Sequence, residues 1–534
     1  MDVLLLHPPA VKPAEPPPGA AVLLAHLRCR GFSAAALDAN LAAYLYLLDP
    51  NRLEPAAGQQ PSTAVRRALR HSDSALNLLR SPAALASFAR YATAVRHLNT
   101  ALGVWTGDGG MERLTLGDYD RAGLSPFAPA DLERLAAGAA PPSLFSRYFE
   151  EELLPQVEAL RPRLIALSVN YRHQVLPAFE LAGLLRRRLP AVPVVGGGGV
   201  FTSWRTVLRR LDLRFSCFSR IVFGPGEAPL AALAAGGAPR GDYFLEGAGE
   251  IGFLPDYSFA RLADYLSPVP VLPVSASRGC YWQRCLFCPE AAAPTHPYAA
   301  LPPASFPELL GKLAGRHGVR HFHFTDNALP VAVLRRLAAG GAPPGLSWHG
   351  FVRFEKALLD PDLVAGLAAS GCAMLQLGLE SGSQTVLDRL RKGTQLTEVA
   401  AILAKLQRAG IASYVYVMLG TPGENEEDAE LTLRFLEAHA GAIGFLNLAI
   451  MNLPRESGLL ADPAGGIAES ELLGEDEPLG LYRSFAPAAG WGRREARRFL
   501  DRRLLASSAV RAIVQRTPPL FTSNHAFLFP PLST

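Results

Sequence analysis

Short apolar runs alternate with helix-spaced apolar patterns along the first 245 residues. A continuous apolar run predicts a buried strand, and apolar residues at a spacing of three or four predict a helix. The predicted strands are Val3–Leu6, Ser33–Leu37, Leu164–Val169, Val192–Val195 and Arg220–Phe223. Helical patterns separate them, at about residues 20–30, 176–189 and 228–235. This alternation predicts a doubly wound parallel sheet with helices on both faces.

One long segment, about residues 41–155, interrupts this alternation. It contains helical patterns and loops but no strand run, so we expect a helical insertion after the second strand. A ligand of such a sheet binds outside the carboxyl ends of the strands. The residues that follow each strand are therefore the first candidates for a binding site.

A second strand-helix series runs over residues 271–451. Its predicted strands are Val271–Ser275, Val319–Phe324, Leu346–Val352, Met374–Leu379, Ala412–Leu419 and Gly444–Ile450. Six parallel strands of this kind predict a partial (β/α)6 TIM barrel whose chemistry lies at the carboxyl ends. We therefore predict an α/β protein with a first domain over 1–245, a connector over 246–270, the barrel, and a C-terminal region over 452–534. An Arg-rich helix near 492–508 belongs to that last region.

Composition and charge mainly exclude functions. The chain has 534 residues, of which 49% are hydrophobic and 19% charged, enough for large buried cores. Its 52 Lys and Arg against 48 Asp and Glu leave a net charge of +4, which does not suit nucleic-acid binding by bulk charge. No apolar run reaches the roughly 18 to 20 residues of a membrane span, and the N-terminus lacks a signal-peptide pattern. These features predict a cytoplasmic protein with no nucleic-acid or membrane partner.

Three of the six cysteines lie within nine residues, directly after the first barrel strand: Cys280, Cys285 and Cys288. Thiolates at C-x4-C-x2-C spacing can hold three irons of a [4Fe–4S] cluster and leave the fourth iron open for a substrate or cofactor. The alternative is a zinc site, which usually needs four closed ligands, and His296 is the nearest fourth candidate. The barrel-loop position and the presence of only three cysteines favour the cluster. The other cysteines are single, so we expect no second cluster: Cys29, Cys217 and Cys372.

In this region the chain resembles the radical S-adenosylmethionine (SAM) enzymes. Their triplet is usually C-x3-C-x2-C with an aromatic before the last Cys; Phe287 matches that aromatic, and the first spacing is one residue longer here. Further motifs follow in order: Phe324-Thr325-Asp326-Asn327, Leu377-Gly378-Leu379-Glu380-Ser381-Gly382 and Gly420-Thr421-Pro422-Gly423-Glu424. The resemblance implies that SAM chelates the open iron and that an electron donor such as flavodoxin or ferredoxin reduces the cluster. The SAM-binding residues that it implies are Phe287, Asp326, Arg353, Glu380, Ser381 and Gly420.

The first domain resembles the cobalamin-binding domain found upstream of many radical SAM enzymes. Gly-rich or polar segments follow its predicted strands: Pro16–Gly19, Ser168–Tyr171, Val195–Gly199 and Gly224–Glu227. The implied cobalamin-binding residues are Ser168, Asn170, Tyr171, Gly197, Gly198, Gly226 and Glu227. The motif D-x-H-x-x-G, which supplies a His to cobalt, is absent, so the resemblance implies cobalamin without a His ligand and with Tyr171 or Arg172 facing the metal. A Gly-rich sheet that binds nothing, or a nucleotide, remains the alternative.

These features predict a radical SAM enzyme that uses a [4Fe–4S] cluster, SAM and cobalamin to methylate a carbon or phosphorus centre. The predicted substrate is a small molecule or peptide. The alternatives are a radical SAM enzyme of rearrangement or ring formation, with cobalamin used otherwise or absent, and a non-catalytic cobalamin-binding protein. Candidate substrate-pocket residues are Tyr414 and Tyr416, which alternation places on one strand face, and His323, His349 and His525.

Overall fold

The computed structural model describes most of the chain and divides it into two compact units. The first unit comprises Met1–Val271 with Glu477–Leu479, and the second comprises Leu272–Asp476 with Gly480–Thr534. The described residues are 1–58, 60–106, 110–237, 242–247, 251–252, 254–292, 298–461, 467–468, 471–474, 477–487, 491–519 and 525–530.

The first unit is an α/β fold. Its strands are β1 (Val3–Leu6), β2 (Ala34–Leu37), β3 (Glu112–Leu114), β4 (Tyr119–Arg121), β5 (Leu164–Ser168), β6 (Val194–Gly197), β7 (Arg220–Phe223) and β8 (Phe244–Glu246). Its α-helices are α1 (Pro18–Cys29), α2 (Ala39–Leu47), α3 (Pro50–Ala56), α4 (Thr63–Leu79), α5 (Phe88–Leu102), α6 (Pro129–Ala136), α7 (Ser146–Tyr148), α8 (Leu154–Leu160), α9 (Val175–Arg188), α10 (Gly199–Ser203), α11 (Arg205–Arg210) and α12 (Glu227–Ala234). Short 3₁₀ or π turns lie at Pro82–Ala86, Gly103–Thr106, Phe149–Leu153, Arg172–Gln174 and Leu262–Asp264.

Six of these strands form one parallel sheet in the order β2-β1-β5-β6-β7-β8. The predicted doubly wound sheet is thus confirmed. The strand order reverses between β1 and β5, and such a switch point opens a crevice at the carboxyl ends of the two strands. Apolar residues of β1, β2, β5 and α1 form the core beneath that edge, Val3, Leu5 and Leu24 among them.

The sixth strand, β8, was not predicted. It has three residues, of which Phe244 and Leu245 are only half-buried, so it lacks the continuous apolar run that marks the other strands. Strand β8 includes residue 245, at which we predicted that the first domain ends. Residues up to Val271 fall in the first compact unit, including those that we predicted as a connector.

The predicted insertion is helical, with α2 to α8, but the expectation that it contains no strand was wrong. Strands β3 and β4 pair in an antiparallel hairpin. A tight turn closes the hairpin, with the Thr115 N–H donating to the Asp118 carbonyl at 2.9 Å and the Asp118 N–H to the Thr115 hydroxyl at 3.0 Å. Strands of three residues are too short for alternation to be recognised in the sequence.

The second sheet carries the cysteine loop, which is the segment that contains Cys280, Cys285 and Cys288. The remaining strands are β9 (Val271–Val274), β10 (Ser277–Arg278), β11 (Ala299–Ala300), β12 (His321–Phe324), β13 (Ser347–Val352), β14 (Cys372–Glu380), β15 (Ala412–Leu419), β16 (Phe445–Ile450), β17 (Leu453–Pro454) and β18 (Tyr482–Arg483). The remaining α-helices are α13 (Pro289–Ala292), α14 (Ser305–His317), α15 (Val331–Arg336), α16 (Pro361–Ala369), α17 (Gln384–Arg389), α18 (Leu396–Arg408), α19 (Glu426–Ala438), α20 (Arg493–Phe499) and α21 (Ser508–Arg516). Short 3₁₀ or π turns lie at Leu337–Gly341, Lys356–Leu359, Gly458–Leu460, Leu500–Leu504 and Ala526–Leu528.

All six predicted barrel strands are present, in the order β16-β15-β14-β13-β12-β9. Neighbouring strands from β12 to β16 pair in parallel register. The Arg-rich helix of the C-terminal region is α20, and a second helix, α21, follows it without having been predicted. Within the described residues, no helix is both long enough and apolar enough to cross a bilayer.

Candidate functional site

The cysteine loop is fastened on its N-terminal side by Asp326, which follows β12. The Asp326 carboxylate accepts hydrogen bonds from the Ala276 N–H at 3.0 Å and from the Ser277 hydroxyl at 2.5 Å. Its side chain is buried, and that burial raises the pKa of Asp326 to about 6 despite these hydrogen bonds. Asp326 therefore braces the segment that leads into Cys280. Its predicted contact with SAM stays a prediction.

The other side of the loop is fastened through Leu286. Its N–H donates to the Leu390 carbonyl at 3.1 Å, and its own carbonyl accepts from the Ser457 hydroxyl at 2.7 Å and from the Leu459 N–H at 3.2 Å. Leu286 and Phe287 also pack against a buried cluster that includes Leu390 and Leu459. The backbone on both sides of Cys285 is thus held in place before any ligand binds.

The three cysteines differ in exposure. Cys285 is buried, and Cys280 and Cys288 are half-buried. Burial raises the pKa of Cys288 to about 11, and the charges of Cys285 and Cys280 raise it further, because three thiolates facing one region repel each other. Burial also raises the pKa of Cys285, against the opposing effect of Lys392 and Arg353. Bound iron would supply positive charge, which stabilises the deprotonated thiolates.

Within the part of the chain that the structure describes, no three His, Cys, Asp or Glu side chains are arranged around a single metal ion. A [4Fe–4S] cluster instead takes each of its thiolates on a different iron. His296, the fourth ligand of the zinc alternative, lies outside the described residues. The donor set of three clustered thiolates on one fastened loop fits the iron–sulfur group.

Arg353, directly after β13, reaches the loop. Its Nη1 lies 3.7 Å from the Cys285 Sγ, within hydrogen-bonding distance of a sulfur acceptor. The sequence identified Arg353 as a SAM-binding candidate, but it did not show this contact with a cysteine.

Glu380 ends β14 and forms a buried ion pair with Lys392. The Glu380 Oε1 lies 2.7 Å from the Lys392 Nζ, and the two side chains are 13% and 8% exposed. The Lys392 Nζ also lies 5.6 Å from the centre of the Phe287 ring. A Cβ at Gly378 would lie within 3 Å of the charged ends of both side chains, so the pair would have to shift to accommodate it. Sequence reasoning missed Lys392, although it is one of only five lysines in the chain.

Ser381 and Gly420 make contacts with helices. The Ser381 hydroxyl is fully buried, lies 3.1 Å from the Thr432 hydroxyl of α19 and accepts the Ser383 N–H. Gly420 has a φ of 77°, and a Cβ there would lie 3.2 Å from the Ala496 Cβ of α20. These contacts hold the strand ends of β14 and β15 against their helices, and the predicted role of both residues in binding SAM stays a prediction.

The turn after β15 encloses a buried acid, Glu424. Its Oε2 accepts hydrogen bonds from the Thr421 N–H at 2.8 Å and from the Thr421 hydroxyl at 3.1 Å. The residue is 1% exposed, and burial raises its pKa from the usual 4.5 to about 7. In the pH range between these values, the folded protein holds a proton that the unfolded chain has lost. Stability therefore falls as the pH rises through that range.

We expect Glu424→Gln to reduce this pH dependence. The glutamine keeps an acceptor for Thr421 and carries no charge at any pH. One pKa unit corresponds to about 1.4 kcal/mol. From pH 5 to pH 8, the free energy of unfolding of the variant should therefore rise by roughly 2 to 4 kcal/mol relative to that of wild type. Denaturant unfolding at both pH values measures the difference. Glu427→Gln, an exposed change of equal charge on α19, is the control, and equal pH profiles for Glu424→Gln and wild type would contradict the assignment.

Asn170 links two loops at the carboxyl edge of the first sheet. Its Nδ2 donates to the Ser168 hydroxyl at 3.0 Å, and its Oδ1 accepts the Gly199 N–H at 3.0 Å, so it joins the loops after β5 and β6. Gly198 has a φ of 107°, and a Cβ there would lie 2.5 Å from the Val169 carbonyl oxygen, so only glycine fits. Tyr171, next to Asn170, is 55% exposed.

Three glycines at this edge could accept a Cβ without a clash. The nearest atom would be 3.9 Å away at Gly19, 3.6 Å at Gly197 and 3.5 Å at Gly199, which are ordinary van der Waals distances. Gly226 differs, because its Cβ would lie 3.2 Å from Leu23 of α1. Glu227, at the start of α12, is buried. Small residues beside an exposed tyrosine are compatible with a large flat ligand such as cobalamin, whose binding at this edge stays a prediction.

The polar residues around Tyr171 bind the insertion. Arg172 pairs with Asp120 at 2.9 Å. His173, which sequence reasoning missed, lies 3.1 Å from Asp118 and accepts the Tyr119 N–H at 3.1 Å. These contacts hold hairpin β3–β4 against the loop after β5. Tyr171 and Arg172, the two residues predicted to face a metal, are both exposed.

The barrel strands carry an aromatic and polar face that points away from α14. The Gln376 Nε2 donates to the Tyr416 hydroxyl at 3.1 Å, and the Tyr416 ring lies 5.1 Å from Tyr414 and 5.2 Å from Phe351. The opposite face holds Phe324, which packs on Phe306 of α14. The two tyrosines share a face, as alternation predicted.

The candidate pocket histidines also lie together. The rings of His323 and His349 stack at 4.6 Å, and Phe527 stacks on the other side of His349 at 4.4 Å. His349 is fully buried, and that burial lowers its pKa well below its usual value. A neutral, stacked imidazole is the state that this position favours.

Comparison with known proteins identifies the domain that contains the cysteine loop. Residues 274–436 match the model of the radical SAM superfamily. A tRNA-2-methylthio-N(6)-dimethylallyladenosine synthase of Mycolicibacterium smegmatis is 32% identical over 146 residues, 26% of this chain and 28% of that protein. The bacteriochlorophyllide d C-12(1)-methyltransferase of Chlorobaculum tepidum is 25% identical over 193 residues, 34% of this chain and 41% of that protein. The chain thus matches less than half the length of these relatives.

Two solved structures are similar over most of the chain. The radical SAM methyltransferase TsrM from Kitasatospora setae, with cobalamin and a [4Fe–4S] cluster bound, gives a TM-score of 0.52 at 16% identity and covers 93% of this chain and 84% of its own. The cobalamin-dependent SAM radical enzyme OxsB, with aqua-cobalamin and SAM bound, gives a TM-score of 0.55 at 13% identity and covers 93% and 66%. The chain therefore carries a radical SAM domain, whose superfamily uses a [4Fe–4S] cluster and SAM, within the fold of the cobalamin-dependent radical SAM enzymes.

Proposed function

We propose that the protein is a cobalamin-dependent radical SAM methyltransferase that methylates a carbon or phosphorus centre of a small molecule or peptide. The observation that carries the proposal is the cysteine loop, with Cys280, Cys285 and Cys288 fastened on both sides by buried hydrogen bonds after β9. When bound there, the cluster supplies the electron that cleaves SAM, and an electron donor such as flavodoxin or ferredoxin must reduce it.

The residues around the loop prepare the site. Asp326 and Leu286 hold the loop backbone, and Arg353 donates to the Cys285 sulfur. The ion pair of Glu380 and Lys392 places a carboxylate and an ammonium group beside Phe287, where the resemblance implies the polar end of SAM. Burial of these groups keeps water from competing for their hydrogen bonds.

The glycines at the carboxyl edge of the first sheet support cobalamin as the second cofactor. Gly19 follows β1, and Gly197 and Gly199 lie at and after the end of β6, on the side of the sheet where doubly wound folds bind their ligands. Cobalamin is bound in the structure of TsrM, whose fold this chain shares. The bacteriochlorophyllide relative is named as a methyltransferase, which favours methyl transfer over rearrangement.

Methylthio transfer, the activity named for other relatives, is not the activity that we propose. That chemistry uses a second cluster, and the remaining cysteines cannot supply one. Cys29 ends α1, Cys217 precedes β7 and Cys372 begins β14.

The function is tested without knowledge of the substrate. The anaerobically reconstituted protein is given hydroxocobalamin, SAM labelled in its methyl group, and dithionite or flavodoxin. We expect 5′-deoxyadenosine, and also S-adenosylhomocysteine that forms only when cobalamin is present. 5′-Deoxyadenosine without cobalamin uptake would indicate the rearrangement or ring-forming alternative, and the absence of both products would indicate a non-catalytic protein.

The cobalamin site has its own prediction, at Gly197. A Cβ at Gly197 would meet only Val222, at an ordinary 3.6 Å, and the added methyl groups of a valine would occupy volume at the proposed cobalamin site. We expect Gly197→Val to fold normally and to take up at least tenfold less hydroxocobalamin, measured by corrin absorbance after gel filtration. Gly103→Val, at a glycine of the same unit whose Cβ would meet no atom within 4 Å, is the control. Equal uptake by Gly197→Val and wild type would place cobalamin elsewhere or exclude it.

A further inference from the structure

We propose that Arg353 sets the reduction potential of the cluster by donating a hydrogen bond to the Cys285 sulfur, and that Trp282 positions it for this purpose. The proposal rests on the cluster assignment made above. It gives Arg353 a role different from the SAM contact that the resemblance implies.

Every nitrogen of the Arg353 guanidinium has a partner. Nη1 donates to the Cys285 Sγ at 3.7 Å, Nη2 to the Lys392 carbonyl at 2.6 Å, and Nε to the Glu355 Oε1 at 3.1 Å. The side chain is 7% exposed. Because the guanidinium is planar and rigid, the bonds to Lys392 and Glu355 fix the direction of the third nitrogen, which points at the sulfur.

Trp282 covers the face of the guanidinium. The Arg353 Cζ lies 4.1 Å from the centre of the indole ring, which is a favourable cation–π geometry. Gly393 packs closely against the indole, because a Cβ there would overlap the ring. Trp282 therefore leaves the guanidinium little room to turn away from Cys285.

Trp282 lies in the segment between the first two cysteines, which is one residue longer than usual. Four residues separate Cys280 from Cys285, where the usual spacing has three. Gln283, the next residue, adopts a φ of 50°, a left-handed conformation that lets the chain turn back toward Cys285. Tyr281 donates to the Glu355 Oε1 at 2.8 Å, so the same loop also holds the carboxylate that orients Arg353.

A hydrogen bond to a cluster thiolate stabilises the reduced cluster more than the oxidised one, because reduction adds negative charge that reaches the sulfurs. Lys392 also lies near Cys285, but its ammonium group donates to the Glu380 carboxylate at 2.7 Å, whereas Arg353 keeps one nitrogen for the sulfur besides the one that it directs to Glu355. Among the side chains that the structure describes, Arg353 donates a hydrogen bond to a sulfur of the triplet. Its removal should therefore make the cluster harder to reduce.

The test is a redox titration of the reconstituted cluster without SAM, followed by the electron paramagnetic resonance of the reduced form. Arg353→Met keeps much of the side-chain stem and removes the donor. At a fixed potential we expect at least a tenfold lower ratio of reduced to oxidised cluster, a shift of about 59 mV for one electron. Trp282→Leu, which leaves Arg353 in place, should shift the ratio in the same direction by a smaller factor. Arg408→Met, at an exposed arginine that bonds to its own helix, should leave it unchanged.

Iron content separates this proposal from the cluster assignment. If wild type binds no iron, the assignment itself fails. If Arg353→Met binds as much iron as wild type and has the same potential, Arg353 is only structural and the proposal is overturned. Should Arg353→Met fail to hold the cluster, Trp282→Leu decides, and an unchanged potential in that variant overturns the proposal.

Discussion

Replacing Cys280, Cys285 and Cys288 together by alanine should abolish iron binding. Wild type, reconstituted anaerobically, should hold about four irons and four sulfides per chain, and the triple variant close to none. The reason is chemical, since the three thiolates are the proposed ligands and hydrogen bonds hold the loop that carries them. Iron and sulfide analysis after gel filtration measures the result.

Two other cysteines serve as controls for the loss of a thiol. Cys217→Ala and Cys372→Ala remove buried cysteines that lie outside the loop, and both variants should retain the full iron content. Four irons that persist in the triple alanine variant would overturn the assignment of the loop as the cluster site.

Glu380→Ala should have a second large effect, on stability. The alanine would leave the Lys392 ammonium buried without its partner at 2.7 Å. Breaking a buried ion pair in this way costs about 3 to 5 kcal/mol, which denaturant unfolding would measure. If Glu380 also contacts SAM, as the resemblance implies, loss of a charge-assisted hydrogen bond of about 1.5 to 3 kcal/mol should weaken SAM binding at least tenfold.

The two roles of Glu380 can be separated because its partner is known. A double variant, Glu380→Gln with Lys392→Met, removes both charges and should recover most of the stability lost in Glu380→Ala. SAM titration of Glu380→Gln and of the double variant, with iron content matched to wild type, then reports binding alone. Unchanged SAM affinity in both variants would leave Glu380 with the ion pair as its whole role.

The two sheets were predictable because most of their strands are continuous apolar runs. Strands β1, β7 and β15 begin and end at the predicted residues, and both parallel sheets are confirmed. The misses are short or half-buried elements. Strand β8 and hairpin β3–β4 have three residues per strand, and neighbouring strands and turn hydrogen bonds rather than an apolar pattern hold them in place.

The site was predictable to a smaller extent. The spacing of the cysteines marked the loop, and the resemblance to the radical SAM enzymes marked Asp326, Arg353 and Glu380. Their partners were not visible in the sequence. Asp326 bonds to the backbone 50 residues earlier, and Arg353 reaches a sulfur 68 residues away, because each follows a strand end that the sheet brings to one edge.

The sequence by itself determined the order of elements, the cysteine loop and the glycines at strand ends, because these depend on residue type and local spacing. The tertiary structure decided which charges meet. Lys392 carries no local sign of its function, and it becomes the partner of Glu380 only where the turn after α17 returns to the end of β14. Trp282 likewise becomes the support of Arg353 only through the packing of its loop on Gly393. Local patterns depend on neighbours in sequence, whereas burial and ion pairing depend on neighbours in space, which only the packed fold defines.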